Sequence, residues 1–272
     1  MNAAVPLDRI AEPGVSAPPS SSAQTDAERS AEVTQRNQRQ AEVVAALAPT
    51  LPAHALLWRR EDTVPYECDG LTAYRELPLV VALPETEEQV AQVLRTCHRL
   101  GVPVVARGAG TGLSGGALPH RLGVTLSLAK FNRIVRIDKR SRTAVVQCGV
   151  RNLAISEAAA PLGLYYAPDP SSQIACSIGG NIAENSGGVH CLKYGLTLHN
   201  VLKVRGYLAD GAAVEFGSEA LDAAGLDLMT VLVGSEGMLA VVTEARCGCC
   251  PSRCSRAASW PASTTSAKPA TR

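Results

Sequence analysis

Two glycine-rich segments constrain the fold of this chain more than any other feature. The first, ARGAGTGLSGGALP, spans residues 106–119 and directly follows the apolar run 102–105. The second, SIGGNIAENSGG, spans residues 177–188. Glycine-rich turns after strands let backbone N–H groups approach an anion closely, so they often bind phosphate. Two such segments suggest one long anionic ligand that is held at two places.

The first segment contains the pattern G-x-G-x-x-G at residues 110–115, but its surroundings disfavour a Rossmann turn. A Rossmann turn opens a helix and has an acidic residue about 20 positions further on. Here Pro119 follows almost at once, and the next acidic residue is Asp138. A Walker A loop needs Gly-Lys-Ser/Thr, and the first lysine of the chain is Lys130. A tight turn without a ligand stays open, although it does not explain the second segment.

The composition narrows the function classes. The chain has 272 residues, a formal net charge of +1 and 4% aromatic residues. That balance favours neither nucleic acid nor an anionic membrane as the main partner. The sequence has no apolar run of membrane-spanning length and no signal-peptide pattern at its N-terminus, so we expect a soluble cytosolic protein.

Local patterns predict alternating helices and strands. Thr86 and Gln89 have capping-box spacing ahead of an amphipathic helix that Gly101 ends. Asn152 is predicted to cap a helix that runs to about Leu162. Residues 222–233 are expected to be helical with a strand end, and a hairpin is expected to turn at residues 210–211. Strands are predicted at residues 79–83 and 102–106, and in a meander at 124–128, 134–137 and 144–147.

These patterns favour an α+β or α/β domain over about residues 76–250. Residues 1–25 are rich in Pro, Ser and Ala and are expected to be a disordered tail. Residues 26–75 are expected to be a helical N-terminal segment, and residues 76–245 the main domain. Residues 246–272 are expected to be a non-native or disordered tail.

Three longer stretches resemble a known family. PVVARGAGTGLSGGALP, YYAPDPSSQIACSIGGNIAENSGGVHCLKYG and GSEGMLAVVTEA are similar to the FAD-binding domain of FAD-linked oxidases of the vanillyl-alcohol-oxidase type. PYECDGLTAYR, RNLAISEAAAP and SSQIACSIGG further resemble the D subunits of bacterial glycolate oxidases. The resemblance covers about residues 51–245. It implies an α+β fold, a PCMH-type FAD-binding domain of two α/β subdomains, with the C-terminal cap domain missing.

The resemblance also implies a set of FAD-binding residues. Backbone amides of the first segment would wrap the pyrophosphate, residues 168–171 would lie along the flavin, and the second segment would form the opposite wall. Some relatives tether FAD through a histidine where this chain has Thr111, so non-covalent FAD is expected. The implied cofactor-binding residues are Arg107, Gly108, Ala109, Gly110, Thr111, Gly112, Leu113, Gly115, Gly116, Pro168, Asp169, Ser171, Ile178, Gly179, Gly180, Asn181, Asn185, Gly188, Glu236, Gly237 and Val242.

The implied reaction is hydride transfer from a 2-hydroxy acid, glycolate or D-lactate, to FAD. His190 and Lys193 lie in sequence beside the flavin-facing glycines and are the candidates to touch substrate or flavin. His98 and His120 are expected to be structural or exposed. The resemblance implies a second flavin-domain subunit and an iron–sulfur subunit as partners, in the cytoplasm or peripherally at the inner membrane face. The alternatives are a truncated FAD-binding fragment without turnover and a D-lactate dehydrogenase-type enzyme.

The cysteines fall into two groups. Cys68, Cys97, Cys148, Cys176 and Cys191 are expected to be reduced, buried small hydrophobes. The tail holds four more in RCGCCPSRC, whose spacing disfavours a metal or iron–sulfur site. Reverse translation with GC-rich codons turns RCGCCP into LRLLP in another frame, which matches the strand that the family carries there. A frameshift near residues 245–246 is therefore predicted, and the tail cysteines are expected to lie outside the fold.

Overall fold

The computed structural model describes residues 26–219 and 225–252, which build two β-sheets with helices packed on them. The expected tail 1–25, most of the tail 246–272, and the start of the expected helix 222–233 lie outside these residues. The helices are α1 Asp26–Leu47, α2 Arg60–Thr63, α3 Glu87–Leu100, α4 Asn152–Ala159, α5 Ile178–Glu184, α6 Cys191–Tyr194 and α7 Leu228–Leu232. The strands are β1 Leu56–Leu57, β2 Val80–Ala82, β3 Val104–Arg107, β4 Val124–Ser127, β5 Ile134–Asp138, β6 Thr143–Gln147, β7 Leu164–Tyr165, β8 Val201–Tyr207, β9 Ala213–Gly217, β10 Val241–Gly248 and β11 Cys250–Pro251.

The first sheet has the order β1-β2-β4-β3, and its three longer strands are parallel. Parallel strands are buried on both faces, which is why Val80, Val81 and Leu126 are fully buried. Helices α1 and α3 pack on this sheet. The N-terminal segment contains α1 and α2, and β1 joins the sheet through its pairing with β2.

Helix α3 follows its sequence signals closely. The Thr86 hydroxyl accepts from the Gln89 backbone N–H at 3.3 Å, and the Gln89 side chain accepts from the Thr86 N–H at 3.3 Å. The helix ends at Gly101, whose φ of 62° is a left-handed conformation that glycine adopts without a Cβ penalty. The capping box and the glycine stop are therefore confirmed.

The second sheet is antiparallel throughout, with the order β5-β6-β10-β8-β9. Its core includes Ile155, Ile178 and Ile182 from the helices and Val204 from β8. The hairpin between β8 and β9 turns at Asp210 and Gly211, as the sequence predicts, and the Asp210 carboxylate accepts from the Ala212 N–H at 2.8 Å. The α+β architecture is confirmed.

The predicted meander of residues 124–147 is wrong. Strand β4 pairs in parallel with β2 and β3 in the first sheet, whereas β5 and β6 form a hairpin in the second. A meander requires sequential neighbours to pair. Strand β4 instead finds partners that are distant in the chain, and local periodicity carries no information about them.

Asn152 is not the N-cap of its helix. Helix α4 begins at Asn152 itself, and Arg151 occupies the N-cap position without a side-chain bond. The buried Asn152 side chain donates to the Pro168 carbonyl at 2.8 Å and accepts from the Asn181 side chain at 2.8 Å. A buried amide network therefore takes the place of the predicted local cap.

The folded region continues past residue 245, where the sequence analysis set its boundary. Strand β10 runs through Gly248 at the centre of the second sheet, and β11 pairs with β7. Cys247, on the inward side of β10, and Cys249, directly after that strand, are buried, where thiols pack as small hydrophobes. The expectation that these two cysteines lie outside the fold is wrong. Cys191 is likewise exposed rather than buried.

Candidate FAD-binding site

A cleft of about 320 Å³ lies between the two glycine-rich segments. That volume is within the range of small-molecule sites in proteins. The cleft is lined by the loop after β3, by Cys148 after β6, by α5 and by residues around the start of β10. Its lining residues are Ala106, Arg107, Gly108, Ala109, Gly110, Thr111, Gly112, Leu113, Gly116, Ala117, Leu128, Cys148, Ser171, Ser172, Cys176, Ser177, Gly179, Gly180, Asn181, Ile182, Ala183, Glu184, Ser186, Leu232, Ser235, Glu236, Gly237, Ala240, Val241 and Val242.

The first wall is the loop 107–116, called here the glycine loop. Among the described residues, no protein acceptor is found for the backbone N–H groups of residues 109–116. Such donors normally pair with protein, water or a ligand. A row of available N–H groups after a strand is the arrangement that binds phosphate oxygens.

Arg107 fixes the glycine loop from beneath. The side chain is buried, and its guanidinium donates to the Cys68 carbonyl at 2.8 Å and more weakly to the Ala117 carbonyl at 3.4 Å. A Cβ on Gly110 would collide with this guanidinium, and Gly110 has a φ of 70°. Gly110 is therefore required both for its conformation and for its closeness to Arg107.

The second wall is helix α5, and its N-terminal N–H groups are already paired. The Gly179 N–H donates to the Cys148 carbonyl at 2.7 Å, and the Gly180 N–H donates to the Ser177 hydroxyl at 3.3 Å. A Cβ on Gly179 would lie 2.8 Å from the Cys148 Cβ and 3.0 Å from the Cys148 carbonyl oxygen. The glycine there lets the helix pack closely against residue 148.

Two carboxylates approach the glycine loop closely at Gly116. A Cβ on Gly116 would lie 3.2 Å from Glu184 Oε1 and 3.3 Å from Glu236 Oε2. Burial raises the pKa of the Glu184 carboxyl above its usual value, and the neighbouring Glu236 carboxylate adds to the shift. The Ser114 hydroxyl donates to Glu184 Oε2 at 3.3 Å and opposes it in part.

The structure brings most of the predicted cofactor-binding residues to the cleft, and the rest lie outside its lining. Ile178 is buried in the second core, and the Asn185 side chain accepts from the Leu198 N–H at 3.0 Å. The predicted residues that line the cleft are Arg107, Gly108, Ala109, Gly110, Thr111, Gly112, Leu113, Gly116, Ser171, Gly179, Gly180, Asn181, Glu236, Gly237 and Val242. Those outside the lining are Gly115, Pro168, Asp169, Ile178, Asn185, Gly188, His190 and Lys193.

His190 is held by a carboxylate outside the cleft. Its Nδ1 lies 2.6 Å from Asp169 Oδ2, and its backbone N–H donates to Asp169 Oδ1 at 3.1 Å. A Cβ on Gly188 would collide with Asp169. The ammonium of Lys193 lies 4.9 Å from the centroid of the Tyr194 ring. The pair of residues 169 and 190 therefore forms an oriented carboxylate–imidazole dyad beside the cleft.

Sequence reasoning missed several lining residues. Ser177 caps α5 through its hydroxyl, and a serine directly before a glycine-rich helix start is a signal that could have found it. Glu184 carried no local signal, because its role depends on Gly116 and Glu236, both distant in the chain. Cys148 meets Gly179 only through the tertiary fold.

No group of three or more His, Cys, Asp or Glu side chains in residues 26–219 and 225–252 is arranged to hold a metal ion. Within the same residues, no helix combines the length and apolar character needed to cross a bilayer.

Comparison with known proteins agrees with this geometry. Over 202 residues the chain is 61% identical to the glycolate oxidase subunit GlcD of Escherichia coli, a match that covers 74% of this chain and 40% of that protein. It is 42% identical to the GlcD subunit of Bacillus subtilis, over 66% of this chain and 38% of that protein. It is 40% identical to a D-lactate dehydrogenase of Archaeoglobus fulgidus, over 61% of this chain and 37% of that protein.

The fold is also found among solved structures. Alkyldihydroxyacetonephosphate synthase superposes with a TM-score of 0.69 at 22% identity, over 78% of this chain and 40% of that one. The chain thus spans about 40% of the length of the curated relatives it matches. Residues 78–217 match the family described as the FAD binding domain. The chain therefore belongs to the FAD binding domain family.

Proposed function

We propose that this chain is the FAD-binding core of an oxidoreductase that takes hydride from a 2-hydroxy acid. The observation that carries the proposal is the row of backbone N–H groups at residues 109–116, for which the described part of the chain offers no acceptor, in a loop that largely lines the cleft. Such a cradle suits the pyrophosphate of FAD. The relatives named glycolate oxidase subunit and D-lactate dehydrogenase support the substrate class.

The residues fit FAD chemically. Backbone amides of the glycine loop would bind phosphate oxygens, and α5 would close the opposite side of the cleft. Bound FAD supplies a hydride acceptor. The protein binds it, orients it and keeps water from the reacting atoms. We keep all the residues named in the sequence analysis as candidate contacts, including those outside the cleft lining.

We propose that FAD is held without a covalent bond. Thr111 lines the cleft at the position where some relatives carry a tethering histidine. Its hydroxyl has no basic partner in the hydrogen bonds of the described residues that would activate it as a nucleophile. Acid precipitation of FAD-loaded protein should release all the flavin to the supernatant. Flavin fluorescence that stays with the protein on a denaturing gel would contradict this.

The Asp169–His190 dyad is the candidate proton acceptor. Asp169 accepts from His190 Nδ1 and thereby leaves Nε2 to take the hydroxyl proton of a 2-hydroxy acid. Lys193 is the candidate cation for the substrate carboxylate. The partners proposed from the resemblance are a second flavin-domain subunit and an iron–sulfur subunit. The proposed location is the cytoplasm, with peripheral association at the inner membrane face.

A second candidate function is FAD binding without turnover. The charged side chains in the cleft lining are Arg107, Glu184 and Glu236, and the arginine is committed to backbone carbonyls. A carboxylate substrate would therefore find no available cation within that lining. The test is the absorbance spectrum of the FAD-loaded chain under anaerobic conditions. Bleaching with glycolate or D-lactate supports the oxidoreductase, and a stable flavin spectrum supports binding alone.

A further inference from the structure

We infer that residues 66–71, called here the clamp segment, set the shape of the glycine loop and thereby the affinity for FAD. This inference rests on the proposed function. The clamp segment lies before residues 78–217, so the residues matched by the FAD binding domain family do not include it. It belongs to the stretch PYECDGLTAYR, and no residue of that stretch lines the cleft.

The first contact of the clamp segment is with Arg107. The Cys68 carbonyl accepts from the Arg107 guanidinium at 2.8 Å, and the guanidinium carbon lies 5.6 Å from the centroid of the Tyr66 ring. This is a cation–π arrangement combined with a charge-assisted hydrogen bond. The same guanidinium also reaches the Ala117 carbonyl, just after the loop. Arg107 therefore ties the clamp segment to both ends of the glycine loop.

The second contact is made directly by Gly70. A Cβ there would lie 2.7 Å from the Gly112 carbonyl oxygen and 3.0 Å from the Thr111 carbonyl oxygen. Asp69 fixes the turn that presents Gly70, because its Oδ1 accepts from the Leu71 N–H at 2.8 Å. Two peptide units of the glycine loop thus have their carbonyl oxygens packed against the clamp segment, which sets where their N–H groups point.

The buried charges support the same reading. Asp69 and Arg107 are 5% and 8% exposed, and no hydrogen-bond partner is found for Asp69 Oδ2 among the described residues. Burial lowers the pKa of the Arg107 guanidinium, and the Asp69 carboxylate opposes that change. Asp69 is absent from the cleft lining, and the Arg107 guanidinium is held by the Cys68 and Ala117 carbonyls rather than left available to a ligand. Arg107 is accordingly a positioning residue.

The test is FAD titration of the whole chain by fluorescence quenching, with two disruptive and two matched variants. Gly70→Ala adds a methyl group against the loop carbonyls, and Tyr66→Ala removes the ring beneath Arg107. Gly248→Ala is the control for the first, since its Cβ would meet only the Asn200 carbonyl oxygen at an ordinary 3.8 Å. Tyr66→Phe is the control for the second because it keeps the ring.

If the clamp segment sets the loop shape, Gly70→Ala and Tyr66→Ala should weaken FAD binding about tenfold. That ratio corresponds to the binding free energy of one lost cation–π contact or one displaced hydrogen bond. Gly248→Ala and Tyr66→Phe should bind as wild type does. Thermal melts without FAD separate positioning from folding: Gly248→Ala and Tyr66→Phe should melt as wild type does, and the affinity losses of Gly70→Ala and Tyr66→Ala should exceed what any fall in Tm accounts for. Unchanged affinity in both disruptive variants would overturn the inference. So would affinity losses that simply follow a lowered Tm.

The same titration separates this inference from the proposed function. If the wild-type chain does not bind FAD, the proposed function fails. If the wild type binds FAD and the four variants bind equally well, only the clamp fails.

Discussion

Both walls of the cleft contain glycines, but the glycines of the two walls have different roles. In the glycine loop, the backbone N–H groups of residues 109–116 have no acceptor within residues 26–219 and 225–252. In α5, the N–H groups of Gly179 and Gly180 are paired with Cys148 and Ser177. The first wall is built to bind, and the second is built to pack. A glycine count therefore says little about function until the partners of each N–H are known.

The comparison predicts that Gly179→Ala has the largest effect on stability. The new Cβ would meet the Cβ and the carbonyl oxygen of Cys148, neither of which is the end of a flexible side chain. We expect the free energy of unfolding to fall by about 3 kcal/mol, measured by urea denaturation. A loss below about 0.5 kcal/mol would contradict the packing role. Gly115→Ala is not a clean control, because its φ of 81° adds strain.

Asn152→Ala should produce the next largest loss. Its side chain joins α5 to the Pro168 carbonyl through two buried hydrogen bonds of 2.8 Å. Removing it leaves the Asn181 amide and the Pro168 carbonyl without these partners, at a cost of about 2 kcal/mol. Urea denaturation measures the loss. The comparison is Asp227→Ala, because Asp227 is the exposed N-cap of α7 and its carboxylate accepts from the Thr230 N–H at 3.2 Å. A larger loss there would mean that the buried network is not stabilising.

Gly110→Ala should act on binding more than on folding. The left-handed φ and the contact with Arg107 both disfavour a Cβ at this position. The backbone of the loop can shift because it borders a cleft. The strain would therefore change the direction of its N–H groups rather than unfold the chain. We expect FAD affinity to fall about tenfold by fluorescence titration. A fall in Tm with unchanged FAD affinity would show that Gly110, like Gly179, serves packing and not binding.

The smallest expected effect is a pH dependence from Glu184. Its pKa is raised from 4.5 by burial and by Glu236, so the folded chain keeps this proton to higher pH than the unfolded chain does. The contribution of Glu184 to stability therefore decreases as pH rises from about 4.5 through the folded pKa. FAD affinity should decrease over the same range, because a second carboxylate then faces the phosphates.

Glu184→Gln should flatten both pH profiles, in melts and in FAD titrations. Glu85→Gln, an exposed carboxylate on the first half of the chain, is a control that should leave both unchanged. Identical profiles for wild type and Glu184→Gln would show that another group titrates.

Whether an interaction could be predicted from the sequence depends on how far apart its residues lie along the chain. The capping box at Thr86 and Gln89 spans three residues, and the hairpin at residues 210–211 spans two, so local patterns were sufficient. The glycine loop was found because its signal is also local. The pairing of β4 depends on β2 and β3, and the role of Asn152 depends on Asn181, so neither could be read from neighbours.

The clamp segment and the tail cysteines show the same limit. Arg107 meets Cys68 across 39 residues of chain. No periodic pattern in the sequence indicates such a contact. Cys247 and Cys249 were set aside on frame arguments, but the alternation along β10 places Cys247 inward, and Cys249, directly after that strand, is buried as well.

Hydrogen exchange of the backbone amides, with and without FAD, distinguishes the wall that binds the ligand from the wall that packs the fold. The claim is that residues 109–116 bind the ligand and residues 179–181 pack the fold. The account predicts that saturating FAD slows exchange at residues 109–116, while residues 179–181 are already protected in the free chain. Unchanged exchange in the glycine loop of FAD-loaded protein, with new protection confined to residues 179–181, would contradict it.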